Sequence, residues 1–310
     1  MILEIRNLIK RYNDVIAVDN ANLDVKEGDI FGLLGPNGAG KTTIINAITG
    51  TTKTDGGEIR IFGKNLKSNE REIKREIGVV PQDLAIYEDL TAYENLDYFG
   101  RLYGFRGREL KRSIDDALEF TGLSEKKKQY PKKFSGGMKR RLNIACSLVQ
   151  KPRLIIMDEP TVGIDPQSRN HILESVKELN KGGATIIYTS HYMEEVEAIC
   201  SYIAIMDHGR IIAKGTKNDL EGLVSDEDNV VFELSSVNFT IVDNIKRIPD
   251  VRQCVLEEKM LKVTSKKGSR NLSRLIDCIS ETDAGIIALN IEKTSLENVF
   301  LTLTGRSLRD

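Results

Sequence analysis

The segment Gly35-Pro-Asn-Gly-Ala-Gly-Lys-Thr42 constrains this chain most, because it sets the spacing G-x-x-x-x-G-K-[ST] between an apolar run, Ile30–Leu34, and a helix-like stretch, residues 43–49. In such a loop, backbone N–H groups wrap phosphate oxygens, the lysine reaches the outer phosphates and the hydroxyl ligates a divalent cation. Glycines are needed because side chains would keep the backbone off the anion. The following helix presents its partly positive N-terminus to the same phosphates. The loop thus marks a nucleoside-triphosphate site, with Gly35, Pro36, Asn37, Gly38, Ala39, Gly40, Lys41, Thr42 and Thr43 as its binding residues.

A chain of 310 residues has room for two domains, one with a substantial core. Lys+Arg 45 against Asp+Glu 46 leave a formal net charge of -1, so no global field recruits nucleic acid or anionic lipid. Local basic clusters at residues 126–128, 132–133 and 139–141 read as a solvated face, with attraction of nucleotide as the alternative. The four cysteines include no C-x-x-C pair and the three histidines do not cluster. Neither a disulfide frame nor a metal cage is indicated, which suits a reducing cytosol. Met1 leads directly into a strand-like alternation without the basic start and apolar core of a signal peptide. No apolar stretch approaches the roughly 18 residues of a membrane helix. Any work on a membrane therefore needs another chain to span it.

Residues 1–6, 15–25 and 58–62 alternate between apolar and polar and are separated by Asn-Asp, Glu-Gly and Asp-Gly-Gly, the pattern of antiparallel hairpins. Residues 30–34, 154–157, 185–188 and 202–206 are nearly continuous apolar runs, as in parallel strands buried on both faces with helices between them. Between residues 88 and 150 the pattern is helical, with Tyr93, Leu96, Phe99 and Gly100, then Ile114, Ala117, Leu118 and Gly122. The polar, acidic segment Ser225-Asp-Glu-Asp-Asn229 reads as a linker. Beyond it, strands at 230–234, 251–256, 260–264 and 286–291 alternate with helix faces Ile241, Ile245, Ile248 and Leu272, Leu275, Ile276, Ile279. That order, βαββαβ, is a ferredoxin-like plait. A last helix with Leu296, Val299, Phe300 and Leu303 on one face would close it. The expected fold is an α/β P-loop NTPase domain over residues 1–224, with an antiparallel β subdomain and a helical insertion at about 88–150. A small α+β ferredoxin-like domain at 230–310 follows.

Asp158 and Glu159 end an apolar strand that can carry Asp158 to the sheet edge beside the loop, where it would hold Mg²⁺ with Thr42. Glu159 would then orient or deprotonate the water that attacks the γ-phosphate. Phe134-Ser-Gly-Gly-Met138 precedes a helix whose inner face is Leu142, Ala145, Cys146 and Val149. Ser135 is its N-cap, and Gly136 and Gly137 expose N–H groups as a second anion site, although on its own Ser-Gly-Gly reads first as a plain helix-capping turn.

Taken together and in order, these pieces resemble the ATP-binding subunit of an ABC transporter over roughly residues 1–220. They are the Walker A segment at 35–42, Gln82 after an apolar strand, Ser135-Gly-Gly137, the Walker B pair Asp158-Glu159, Gly163-Ile-Asp165, and His191 after a strand. The resemblance implies that Tyr12 stacks on adenine and that Lys41 and the loop glycines hold phosphates. Thr42, Gln82 and Asp158 would surround Mg²⁺. Glu159 would be the base and His191 would contact the γ-phosphate, with Gln82 and Lys41 completing the catalytic set. Phe134 and Met138 depart from the usual Leu-Ser-Gly-Gly-Gln.

In this family the signature of one subunit, here Ser135, Gly136 and Gly137, closes on ATP held by the other. One loop and one signature in this chain imply a second copy or a close relative, and the resemblance itself implies separate transmembrane permease subunits. Leu84, Ile86, Tyr87, Leu90, Tyr93 and Leu96 would form the groove that receives them, unless they belong to the core. The implied location is the cytoplasmic face of the cell membrane, with no nucleic-acid partner. Residues 294–306 are similar to the closing segment of bacterial and archaeal exporters of the drug-resistance type. The alternatives are an importer ATPase subunit, for which a barrel-like C-terminal domain is more usual, or a soluble ABC ATPase acting on ribosomes or DNA. Ribosome-bound forms normally carry two cassettes per chain, and the DNA-repair forms a long coiled coil between the Walker segments. Neither feature is present.

Overall fold

The computed structural model describes residues 1–224, 227–236, 240–292 and 295–304. One compact unit spans Met1–Lys217 and a second begins at Asn218. In the first, β3 (Ile30–Leu34), β6 (Ile77–Val80), β7 (Leu154–Asp158), β8 (Thr185–Ser190) and β9 (Tyr202–Asp207) run parallel. The strand β10 (Arg210–Gly215) pairs antiparallel with β9 at one edge, giving the order β10-β9-β3-β8-β7-β6. Side chains of alternate sign of pleat enter two cores: Leu154 and Ile156 of β7 join one, Ile155 and Met157 the other. This is why the runs lack polar alternation.

The first core is shared with α1 (Lys41–Ile48), α2 (Leu66–Arg75) and an antiparallel sheet of β1 (Leu3–Tyr12), β2 (Val15–Val25), β4 (Gly56–Ile61) and β5 (Lys64–Asn65), in the order β2-β1-β4-β5. The strand β1 runs well past residue 6, where the alternation fails. Asn7 takes a left-handed φ of 49° and the pairing with β2 shifts register there. The side chain of Asn22 accepts the Asn7 N–H at 3.0 Å, so the bulge leaves no orphan donor.

The second core collects α3 (Ala92–Leu102), α4 (Gly107–Phe120), α5 (Gly136–Leu148) and α6 (Pro166–Lys181). Each start has a local cause. Thr91 and Glu94 form a capping box on α3, Ser135 accepts the Met138 N–H on α5, and Asp165 caps α6 ahead of Pro166. Leu96, expected in a docking groove, is fully buried core, whereas Leu84 and Tyr87 are exposed.

Asn95 is also fully buried on α3. Its Nδ2 is shared among the carbonyls of Tyr87, Leu90 and Thr91 at 2.9–3.1 Å, and its Oδ1 accepts the Tyr87 N–H at 2.8 Å. Asn95→Ala strands those groups and is expected to destabilise the protein by about 2–4 kcal/mol in denaturant titration. A change below about 0.5 kcal/mol would refute this account of the loop.

After α8 (Lys217–Val224), β11 (Glu227–Leu234), α9 (Thr240–Lys246), β12 (Val251–Glu257), β13 (Met260–Lys266), α10 (Leu272–Ser280) and β14 (Ile286–Glu292) of the second unit follow the order βαββαβ. The sheet is antiparallel in the order β12-β13-β11-β14, the plait arrangement. Phe232, Ile241, Ile245, Leu261, Leu275 and Ile279 form its core. Three expectations need correction. Glu227, Asp228 and Asn229 are not linker but strand, paired with Lys266, Ser265 and Thr264, and Asp228 accepts the Gly268 N–H at 2.9 Å. Ile248 lies beyond α9, because Pro249 disfavours helical backbone at the residue before it. On α11 (Leu296–Thr304), Leu296, Val299 and Phe300 are buried but Leu303 is exposed. Ser225 and Asp226 of the expected linker, and residues 294, 305 and 306 of the exporter-like segment, lie outside the described residues.

Candidate active site

The four neighbouring strands β3, β8, β7 and β6 are parallel, so their carboxyl ends meet at one edge of the sheet. They lead into Gly35, His191, Glu159 and Gln82, in that order. Ligands of open α/β sheets bind outside the carboxyl ends of the strands. Four segments far apart in sequence thereby converge on one place.

Close packing sets the shape of the loop. A Cβ on Gly35 would sit 2.3 Å from the Met206 carbonyl oxygen. Gly40, the residue just before α1, has φ 107°, and a Cβ there would lie 2.4 Å from the Ala17 carbonyl oxygen. Both positions exclude any other residue. The Gly209 N–H donates to Ala39 O at 2.9 Å and anchors the loop from the β9–β10 turn. Lys41 is buried, at 4% exposure, with Nζ directed at Gly35 O at 2.7 Å, Pro36 O at 3.2 Å and Glu159 Oε1 at 3.0 Å.

A cleft of about 360 Å³ is lined by Pro36, Asn37, Gly38, Lys41, Gln82 and Glu159, among others. Glu159 has a left-handed backbone, φ 46°, that turns its buried carboxylate toward this cleft. Its Oε2 lies 3.1 Å from His191 Nδ1, so Lys41, Glu159 and His191 form one continuous chain of polar contacts. Thr189 supports the turn, since its Oγ1 accepts the Glu159 N–H at 2.9 Å and donates to Asp158 Oδ1 at 2.6 Å.

A second cleft of about 800 Å³ adjoins the first and shares Thr42 and Gln82 with it; Asp158 is among the residues that line it. Hydroxyl, amide and carboxylate oxygens form the hard donor set that suits Mg²⁺ beside phosphates. No group of three or more His, Cys, Asp and Glu forms a metal cluster among the described residues. The Gln82 segment is held in place by Arg140 of α5, which donates to Pro81 O at 3.0 Å and Gln82 O at 2.8 Å. Burial lowers the Arg140 guanidinium from its ordinary pKa, against the influence of Asp83.

The structure does not bring every expected residue together. Tyr12 stands exposed at the end of β1, with Lys10 Nζ 4.9 Å from its ring centroid, and does not line the cleft of Lys41 and Glu159. Ser135 and Gly136 are exposed at the start of α5 and do not line it either, nor does Gly137. Met138, in place of the usual glutamine, packs partly buried against the second core. The basic cluster at 139–141 is no free cationic face: Lys139 pairs with Glu88, Arg140 is buried and Arg141 donates to Thr121 O at 3.1 Å. Ala17 and Thr189 escaped the sequence reading, and Arg140 entered it only as one of a basic cluster. Only Thr189 left a signal, a hydroxyl where an apolar run ends.

The ABC transporter family profile matches residues 18–162. The linearmycin resistance ATP-binding protein LnrL of Bacillus subtilis (strain 168) is 43% identical over 310 residues, covering 99% of this chain and 100% of that protein. The Nod factor export ATP-binding protein I of Cupriavidus pinatubonensis is 36% identical, covering 100% and 92%. A solved ATP-binding cassette, dimeric in a post-hydrolysis state with ADP and Pi, superposes with a TM-score of 0.63 at 27% identity, covering 69% of this chain and 98% of that one. With a phosphate loop, an acidic strand end and a histidine turn at one sheet edge, and with relatives matched along its whole length, this chain belongs to the ABC transporter family as an ATP-binding, ATP-hydrolysing subunit.

Proposed function

We propose that two copies of this chain close around two ATP molecules with Mg²⁺ and drive export through separate membrane-spanning subunits. The observation that carries the proposal is the separation within one chain of Ser135 from the cleft of Lys41 and Glu159. A signature exposed on α5 and absent from its own cleft is available to the cleft of a second copy. In that pairing Lys41 and the loop N–H groups hold the phosphates, while Thr42, Gln82 and Asp158 hold Mg²⁺, which neutralises charge on the phosphoryl group when bound. Glu159 takes the proton of the attacking water, His191 contacts the γ-phosphate and Tyr12 stacks on adenine. Binding pulls the copies together and hydrolysis releases them, so ATP is the ligand that distinguishes the two states.

Export is supported by relatives named for resistance and for Nod factor export that match the chain from end to end. The 800 Å³ cleft suits a short cytoplasmic helix of a membrane subunit: it combines Arg71, Lys74 and Arg75 with Phe99, Leu102 and Tyr103. No helix among the described residues is long and apolar enough to cross a membrane. In the proposed assembly the subunit sits at the inner membrane surface by way of its membrane-spanning partners. Purification of the tagged chain from solubilised membranes is expected to bring down a protein with several membrane-spanning helices. Leu102→Asp, at a residue 64% exposed, is expected to release that protein without lowering the thermal midpoint. Recovery of ribosomal proteins or DNA alone would overturn the reading.

A further inference from the structure

The buried carboxylate of Glu195, on α7 (Met193–Ile199), takes no part in the phosphate cleft. Its Oε2 accepts three hydroxyls: Thr161 Oγ1 at 2.8 Å, Tyr188 Oη at 2.9 Å and Ser190 Oγ at 3.0 Å. Its Oε1 lies 3.4 Å from Arg169 Nε on α6, an ion pair without hydrogen-bond geometry. Thr161, Tyr188 and Ser190 are themselves buried. Burial, and after it the Glu195 charge, hold the Tyr188 phenol protonated far above its ordinary range. Every hydroxyl in the group is therefore a donor to one oxygen.

The partners come from segments that carry the chemistry. Thr161 follows Glu159 by two residues, and Ser190 immediately precedes His191. Ser190 Oγ, donating to Glu195, also accepts the Tyr192 N–H at 2.9 Å, which fixes the backbone on the far side of His191. Arg169 stacks over the Tyr192 ring at 4.8 Å, and that ring lies 4.1 Å from the imidazole of His191. A carboxylate is costly to take out of water unless donors surround it, and here the donors join the turn after β7 to the end of β8, just past the last ladder pair, Asp158 with Thr189.

We propose that Glu195 is a positioning residue of the ATP site. Its carboxylate clamps the turn after β7 to the end of β8, where His191 follows, and so sets the 3.1 Å register between Glu159 and His191. The inference rests on the roles proposed above for those two residues. Glu195→Gln keeps the shape but offers a neutral acceptor and two donors where three hydroxyls converge. It is expected to lower ATP turnover roughly 10- to 100-fold while KM for ATP stays within about threefold, because misplacement by about 1 Å has effects of that size. In the His191→Ala background it should remove less than about a further twofold, since it acts through His191.

The decisive readout is the ¹⁵N signal of His191 Nδ1, identified by its loss in His191→Ala. It is expected to move in Glu195→Gln toward the value of a solvent-exposed imidazole. Should Glu195→Gln not fold, Thr161→Val, which deletes one donor, carries the same measurement. An unmoved His191 signal, or losses that multiply with His191→Ala, would overturn the inference. If the wild-type chain hydrolysed no ATP, the proposed catalytic roles would fail, and the histidine signal would still decide whether Glu195 sets the register.

Discussion

Glu159→Gln is expected to lower steady-state ATP turnover by about 10²–10⁴-fold while leaving ATP affinity within about threefold, the signature of a lost general base rather than a lost binding group. The geometry places this side chain at the end of a buried strand, with its N–H held by Thr189 and its carboxylate shared between Lys41 and His191. Glutamine fits the same space and keeps an acceptor toward Lys41, so the fold should survive. The loss of one charge-assisted contact in a buried setting is expected to cost about 1–3 kcal/mol of stability. Phosphate release at saturating ATP measures the first effect and thermal unfolding the second. Turnover within threefold of wild type would remove Glu159 from the catalytic role.

Lys41→Ala is expected to act earlier in the cycle, at binding. Its ammonium is buried and already aimed into the loop by the Gly35 and Pro36 carbonyls, so it needs little reorganisation to face a phosphate. A charge-assisted hydrogen bond contributes about 1.5–3 kcal/mol, which corresponds to a loss of roughly 10- to 100-fold in ATP affinity. The substitution also strips the buried Glu159 of its cation, leaving it only His191. Turnover at saturating ATP should therefore fall as well, in contrast to a residue that contributes uniform binding alone. Calorimetric titration that returned wild-type affinity would contradict this assignment.

How much could be read from the residues alone depended on whether a feature was linear. The phosphate loop, the Asp158-Glu159 strand end and the βαββαβ order are each written in one short segment or one simple alternation, and the strands appear where the apolar runs lie. What was hidden was nonlocal. Glu195 looks like any acidic residue on a short helix; its meaning comes from Thr161, Tyr188 and Ser190, which only the sheet brings together. Arg140 sits within a basic triplet that suggests a solvated patch, yet its donors close on the Gln82 backbone, which pairwise spacing does not encode. Strand β1 looked short because Asn7 breaks its alternation, while Asn22 across the hairpin repairs the break. The polar stretch 227–229 resembles a linker because composition alone does not reveal a pairing partner such as Lys266.

Sedimentation of Glu159→Gln with ATP and Mg²⁺, alone and combined with Ser135→Arg, tests the paired-cassette account most directly. Ser135 is exposed, so the arginine should fold, apart from about 1 kcal/mol for the lost helix cap. The single variant is expected to sediment as a dimer with one ATP per chain, and the double variant as a monomer that still binds one ATP. A single variant that stayed monomeric, or a double variant that dimerised as well as the single, would contradict the account.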